Sequence, residues 1–235
     1  MPTRRNCDNE DWHAVIRDYS ARALTQNTDK LPALSGLAAL YHKNTGHTYL
    51  AGLWKETIVA NLNWKQNFLF GRASPPPRPA LYRAPSWSWA SVDGNAEYNE
   101  IPGLTQRATL VETQLLLKDS SIPFGEVESG WIKLRGPLKP ARITYKMLLI
   151  EGQDSGTIVL DPVANGDIQP CEDTDGLYAL LLFGRFHSDQ KLKPIGEGTG
   201  LLLNTICKDL FTRVGWFYTD DNCFDSIEES TVKIV

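Results

Sequence analysis

A proline-rich segment divides this 235-residue chain into two parts with different hydrophobic periods. The run Pro-Pro-Pro-Arg-Pro at 75–79 excludes both a helix interior and a central strand, so the segment is expected to be a stiff connector. Apolar residues recur every three or four positions before it and every second position beyond residue 105. The sequence therefore predicts a helical region at 1–70, a connector at 71–94 and a β region at 95–235, packed as one compact unit.

Three helices are predicted before the connector. Asp8 or Asn9 is expected to cap the first, Asp29 the second, and the third is expected to cover 50–62. Their apolar stripes are, in chain order, Trp12, Val15, Ile16, Tyr19 and Ala23; Leu31, Leu34, Leu37, Ala38 and Tyr41; and Leu50, Leu53, Trp54, Thr57, Ile58 and Leu62. Each stripe follows the spacing of one helical face.

The period of two beyond the connector predicts short strands separated by turn residues. The candidate strands are 108–117, 131–135, 141–151, 157–160, 177–186, 200–204, 211–219 and 231–235. Strands at this density favour an antiparallel β-barrel or β-sandwich, with the helices covering one face or one end. The expected fold class is therefore α+β, with N-terminal helices packed on a mostly antiparallel β-barrel or β-sandwich.

Charge and cysteine spacing limit the setting in which the chain works. The net charge is −4, from 24 basic and 28 acidic residues, and no sustained basic run favours nucleic acid or an acidic membrane. No stretch approaches the roughly 18 continuous apolar residues of a membrane span. The four cysteines have no Cys-x-x-Cys spacing, so a reducing location is expected, and the cytoplasm is the simplest one.

One string of residues is distinctive enough to suggest a family. The string is Pro85-Ser86-Trp87-Ser88-Trp89-Ala90-Ser91, and it lies within 82–94. Together with the stretches 19–25, 29–38, 49–54, 62–64, 200–203 and 211–217 it resembles the C-terminal region of the fungal heterokaryon-incompatibility (HET) family. The resemblance implies a part in nonself recognition and cell-death signalling. Most of the N-terminal TIR-like effector core of that family has no counterpart here.

The tryptophans around this string are the best candidates for a ligand site. If the string is extended, Trp87 and Trp89 share one face while Ser86 and Ser88 share the other. A guanidinium beside indoles could hold an anionic or aromatic ligand. The predicted ligand-binding residues are Trp54, Trp64, Arg83, Trp87 and Trp89. In the alternative interpretation the indoles wedge the helices against the sheet, while Arg83 caps carbonyls or pairs with Asp93.

Proton-transfer chemistry would fall to Asp93, His187 and Arg83, the candidate catalytic residues. His42 and His47 flank a loop and lack the spacing of two ligands on one helical face, so no metal is predicted, and no cofactor motif is found.

Two functions from different classes fit these observations. The first is a module that binds a protein partner or a small-molecule ligand in nonself recognition. The second is a cofactor-free small-molecule enzyme, a cyclase or isomerase of secondary metabolism, with a tryptophan-rich pocket. A truncated product without activity is a third alternative. Partners are therefore expected to be a small molecule or a protein, not nucleic acid or membrane. A surface left open by the missing core could also support a homodimer.

Overall fold

The structure is a computed structural model that describes most of the chain. The described residues are 4–22, 24–67, 78–98, 101–144, 147–150, 153–162, 176–185, 197–219, 221–224 and 227–235. Residues 71–77 of the predicted connector and His187 lie outside these ranges. Among the described helices, none is both long and apolar enough to cross a membrane.

Helices, short 3₁₀ turns and small hairpins make up the first part of the chain. The elements are α1 (Arg4–Ser20), 3₁₀ turns at Asn27–Lys30 and Pro32–Leu34, α2 (Ser35–Thr45), β1 (Tyr49–Leu50), β2 (Leu53–Trp54), a 3₁₀ turn at Lys55–Thr57, α3 (Ile58–Leu62), β3 (Trp64–Asn67), a 3₁₀ turn at Trp89–Ser91 and β4 (Asn95–Tyr98). β1 pairs with β2 and β3 pairs with β4, both antiparallel.

The predicted third helix over 50–62 is wrong for most of its length. Ala51 and Gly52 adopt positive φ values of 47° and 91°, and this turn closes the β1–β2 hairpin. Positive φ at both central residues is the geometry of tight two-residue hairpins, and it ends a helix. Only Ile58–Leu62 is α-helical. The apolar spacing resembles a helix because every large apolar side chain here is buried, whichever way the backbone turns.

The first two helices agree better with the sequence, although their starts differ. α1 begins at Arg4, not after Asp8 or Asn9, and it buries Trp12 and Ile16 as predicted. α2 begins at Ser35 because the residues after Asp29 form 3₁₀ turns around Pro32. Leu37 was placed on the apolar stripe, but it is half exposed.

Strands dominate the chain beyond residue 104. They are β5 (Thr105–Gln106), β6 (Thr109–Leu117), β7 (Val127–Thr144), β8 (Met147–Ile150), β9 (Gln153–Leu160), β10 (Leu177–Gly184), β11 (Gly198–Cys207), β12 (Leu210–Thr219) and β13 (Glu229–Ile234). The predicted segment 131–135 is the middle of the much longer β7, and the predicted segment 141–151 is divided between β7 and β8.

These nine strands form one sheet in the order β13-β7-β8-β9-β12-β11-β10-β5, with β6 paired to β7. Each pairing is antiparallel apart from the short contact between β12 and β13, which is parallel. The long β7 also pairs with β10. An α+β class with a large, mostly antiparallel sheet is therefore confirmed.

One hydrophobic core joins the helical part to the sheet. It runs from Trp12 and Ile16 of α1, through the tryptophans at 54–89, to Leu180, Leu201 and Ile234 of the sheet. A second, smaller cluster around Phe217 and Phe224 packs the strands among themselves. The Trp-rich string lies in the first core, where the helices meet the sheet.

Candidate functional site

The Trp-rich string is buried along its whole length. Every residue from Arg83 to Val92 is buried, and the string is not extended, so it does not form the separate indole and serine faces that an extended chain would have. The chain turns at Ser88, whose backbone N–H donates to Pro85 O at 2.9 Å, and then enters the 3₁₀ turn. The Ser88 hydroxyl caps that turn by accepting from the N–H of Ala90 at 3.1 Å. A turn has no two-residue period, and the surrounding elements cover it on all sides.

Three side chains hold the string against the helical part. Ser88 Oγ donates to Ala51 O at 2.6 Å, and the indole N–H groups of Trp89 and Trp12 both donate to Gly52 O, at 3.1 and 3.0 Å. A Cβ on Gly52 would lie 2.6 Å from Nε1 of Trp89. The β1–β2 turn therefore requires glycine at this position, both for its positive φ and for the close approach of the indole.

A second set of bonds holds the string against the sheet. The N–H of Ser86 donates to Val235 O at 3.1 Å, and Ser86 Oγ accepts from the backbone N–H of Arg213 in β12 at 2.9 Å. The indole N–H of Trp64 donates to Trp87 O at 3.1 Å. The string therefore connects the helices to the antiparallel sheet through specific polar contacts as well as apolar packing.

The four candidate ligand-binding tryptophans are at most 1% exposed. Trp54 is enclosed by Trp12, Tyr41 and Tyr49, with ring centroids 5.0, 4.5 and 5.3 Å away. Such edge-on and stacked ring contacts are typical of a packed aromatic core. None of these four indoles presents a face to solvent, so the structure agrees with the interpretation in which they wedge the helices against the sheet.

Arg83 and Asp93, two of the predicted catalytic residues, lie together. Arg83 Nη2 is 2.6 Å from Asp93 Oδ1, and Arg83 Nε donates to Ala90 O at 2.5 Å. The guanidinium is buried, while the Asp93 side chain is 35% exposed. Arg83 therefore both caps a carbonyl of the 3₁₀ turn and pairs with Asp93. The third predicted catalytic residue, His187, falls outside the described residues.

Sequence reasoning missed Lys30, which completes this charged cluster. Its ammonium donates to Val92 O, lies 3.7 Å from Asp93 Oδ1 and sits 5.6 Å from the Trp89 ring. Burial, with the nearby Arg83 charge, lowers the pKa of Lys30 to about 7, and Asp93 opposes that shift. Lys30 and Val92 are 62 positions apart, and no sequence spacing signals such a contact.

Arg213 is the second residue that sequence reasoning missed. Its side chain and that of Asp161 are at most 1% exposed, and Arg213 Nε lies 2.9 Å from Asp161 Oδ2. The remaining guanidinium nitrogens donate to Leu62 O at 2.9 Å and Trp64 O at 2.6 Å, and the group stacks 3.4 Å from the Trp64 ring. Burial lowers the pKa of Arg213, and the Asp161 carboxylate opposes this. The pair ties β12 to the junction of α3 and β3.

Among the described residues, no group of three or more His, Cys, Asp or Glu side chains is placed to hold a metal ion. The chain matches no family model, and neither the search of curated proteins nor the search of solved structures finds a match.

Proposed function

We propose that this chain is a HET-family-like protein without the effector core, and that it acts as a protein-binding module in nonself recognition and cell-death signalling. The observation that carries the proposal is the exposed apolar face of α2. Leu37 and Leu40 are 50% and 55% exposed, and no charged residue occurs between Leu31 and Tyr41. In the family that the sequence resembles, this segment closes the N-terminal core.

The composition of α2 differs from that of an ordinary surface helix. Leu34, just before it, and Ala38 within it face the core, while Leu37 and Leu40, three positions apart, lie together on the outer side. A surface helix usually carries charged residues opposite its core stripe. From Ser35 to Tyr41, before Lys43 in its last turn, α2 has no charged residue on either side, which is expected of a helix that packs between two bodies. Exposed apolar clusters of this kind mark interaction sites.

The Trp-rich string supports the same function indirectly. Its hydrogen bonds are made to the helices and to the sheet, and its indoles are covered. The alternative of a cyclase or isomerase depended on those indoles facing a substrate. A role in holding the module rigid agrees better with their burial, and binding then falls to the outer surface.

The proposal also includes a barrel form for the antiparallel part and a cytoplasmic location for the protein. The pairing of β7 with both β8 and β10, which are also joined through β9, β12 and β11, supports the barrel form of the antiparallel part. The free, exposed thiol of Cys207 agrees with a cytoplasmic location.

Binding to an effector core tests the proposal. The full chain would be immobilised, and the separately produced TIR-like core of an intact HET-family protein would be passed over it in biolayer interferometry. We expect Leu37→Asp/Leu40→Asp to weaken binding at least about tenfold, because a buried carboxylate would replace each leucine contact. The matched control is Leu81→Asp/Ile206→Asp, which alters two exposed apolar residues outside α2.

Equal losses in the two double variants, or no binding by the unaltered chain, would contradict the proposal. Sedimentation velocity gives a further check. If the chain dimerises and Leu37→Asp/Leu40→Asp makes it monomeric, the α2 face serves a second copy and not an effector core.

A further inference from the structure

Trp131 differs from the other six tryptophans of the chain. Those six are at most 3% exposed, whereas Trp131 is only partly buried. It lies on β7, where β6 pairs on one side and β13 pairs nearby on the other. An indole on the outer side of a sheet contributes little to the core and is available to a binding partner.

Cross-strand pairing places four polar side chains around this indole. Gln114 lies opposite Trp131, and Glu112 lies opposite Lys133. Lys133 is two residues from Trp131 on β7, so both point to the same side, and Lys233 of β13 lies directly opposite Lys133. We call Glu112, Gln114, Trp131, Lys133 and Lys233 the Trp131 face.

The two lysines lie close to the ring. Lys233 Nζ is 4.2 Å and Lys133 Nζ is 5.3 Å from the Trp131 centroid. The indole N–H donates to Gln114 Oε1 at 3.0 Å, which leaves the amide N–H groups of Gln114 for another acceptor. The face therefore presents an aromatic ring, two ammonium groups and amide donors side by side.

The charges of this face are not balanced. Lys133 Nζ lies 2.7 Å from Glu112 Oε2, but Lys233 has no carboxylate at ion-pair distance among the described residues. Like charges directly opposite each other destabilise a strand pair. The face keeps an excess positive charge although the whole chain carries −4. Departures from local rules of this kind are typical of functional surfaces.

We propose that the Trp131 face binds an acidic, extended segment of a partner protein. Carboxylates of the segment pair with Lys133 and Lys233, its backbone accepts from the Gln114 amide, and an apolar side chain packs on the indole. Tryptophan is enriched among the residues that dominate protein interfaces. The groups lie side by side on three neighbouring strands, an arrangement that suits an extended segment. The proposal concerns the β region and does not depend on α2.

Fluorescence quenching checks the surface without any partner. Iodide, an anion, should quench Trp131 selectively, and Trp131→Phe should remove most of the quenchable emission. Lys133→Gln/Lys233→Gln should reduce quenching by iodide about twofold or more and leave quenching by neutral acrylamide unchanged, because the local positive field attracts the anion. Unchanged iodide quenching in either variant would overturn the proposal.

Peptide binding tests the partner chemistry. Fluorescein-labelled hexaglutamate would be titrated with the full chain in fluorescence anisotropy, with labelled hexaglutamine as the uncharged probe. We expect only hexaglutamate to bind, and we expect Lys133→Gln/Lys233→Gln and Trp131→Ala each to weaken it about tenfold or more. Added salt should weaken it further, because exposed charges are screened.

The matched control is Lys65→Gln/Lys118→Gln, which also removes two positive charges but at other positions. One of them, Lys65, lies 5.1 Å from the Trp216 ring. This control should bind hexaglutamate like the unaltered chain. An equal loss in the control would show unspecific attraction. Full displacement by an equimolar amount of citrate would show a small-anion site. Either result would overturn the proposal, and neither bears on the α2 face.

Discussion

Two tryptophan–cation pairs in this protein have similar chemistry and opposite surroundings. Arg213 lies 3.4 Å from the buried Trp64 ring, and Lys233 lies 4.2 Å from the partly exposed Trp131 ring. The guanidinium of Arg213 donates to a carboxylate and two carbonyls of its own chain. The ammonium of Lys233 has the ring alone among the described residues. A cation whose donors are all used inside the fold holds the structure together, whereas one with free donors is available to a partner.

The difference between the two cations follows from solvation. A charge taken out of water must recover its lost hydration through several well-placed partners, and a planar guanidinium can supply them in one plane. An ammonium near the surface keeps part of its hydration and needs no such set of protein partners. Its contact with an exposed indole contributes only about 0.5–1 kcal/mol.

The largest expected effect comes from removing the buried cation. Arg213→Met leaves the Asp161 carboxylate buried without its ion-pair partner, and we expect the free energy of unfolding to fall by about 3–5 kcal/mol. Lys233→Met should change it by less than about 1 kcal/mol. Urea denaturation measures both. Similar losses in the two variants would show that the exposed cation stabilises the fold as much as the buried one does. Asp161→Asn combined with Arg213→Met should recover part of the loss, because no unpaired charge remains.

Conservative changes of the two rings test the same difference between buried and exposed tryptophan. Trp64→Phe removes the bond from the indole N–H to Trp87 O and leaves that buried carbonyl without its donor, at a cost of about 1–3 kcal/mol. Trp131→Phe loses a bond to Gln114 at an exposed site, and we expect a change within about 0.5 kcal/mol. Thermal unfolding monitored by circular dichroism compares them. A larger loss of stability in Trp131→Phe than in Trp64→Phe would show that the Trp131 ring serves the fold and not recognition.

A pH titration separates the two regions as well. His13 stacks on Tyr98 with ring centroids 3.7 Å apart, and burial, with the Arg17 charge, lowers the pKa of His13 from 6.5 to about 3. Between these values the unfolded chain binds a proton that the folded chain does not. Stability therefore falls as the pH decreases from 6.5 towards 3, by at most ~1.4 kcal/mol per pH unit from this group.

His13→Phe keeps a stacked ring and should flatten the dependence in that pH window. The Trp131 face contains no histidine, so Lys233→Met should retain the full slope. Denaturant midpoints at a series of pH values measure the effect. An unchanged slope in His13→Phe would show that other groups control acid unfolding.

The regular parts of the fold could be predicted from the sequence because period and burial are local properties. The change from a helical to a two-residue period located the helical and strand-rich parts, and Trp12 and Ile16 were assigned correctly to the core. The β1–β2 hairpin could not be predicted. Its positive φ values at Ala51 and Gly52 are stabilised by two indole N–H bonds to Gly52 O, made from Trp12 and Trp89, which are distant in sequence.

The same limit applies to the candidate site. Arg83 and Asp93 are close in sequence, and their pairing was foreseen as one interpretation. Lys30 and Arg213 were not identified, since their partners lie many tens of residues away. The two-residue alternation considered for the Trp-rich string holds only in an extended chain, and the serine cap and the bonds to Ala51 and Val235 fold the string into a turn.

Alternation along β7 follows from the sequence alone, and it places Trp131 and Lys133 on the same side of the strand. Only the tertiary structure decided that this side is the outer one and that Lys233 lies opposite. Alternation fixes the relative directions of neighbouring side chains. Which direction is buried depends on the strands and helices that pack against the sheet, and these come from distant parts of the chain.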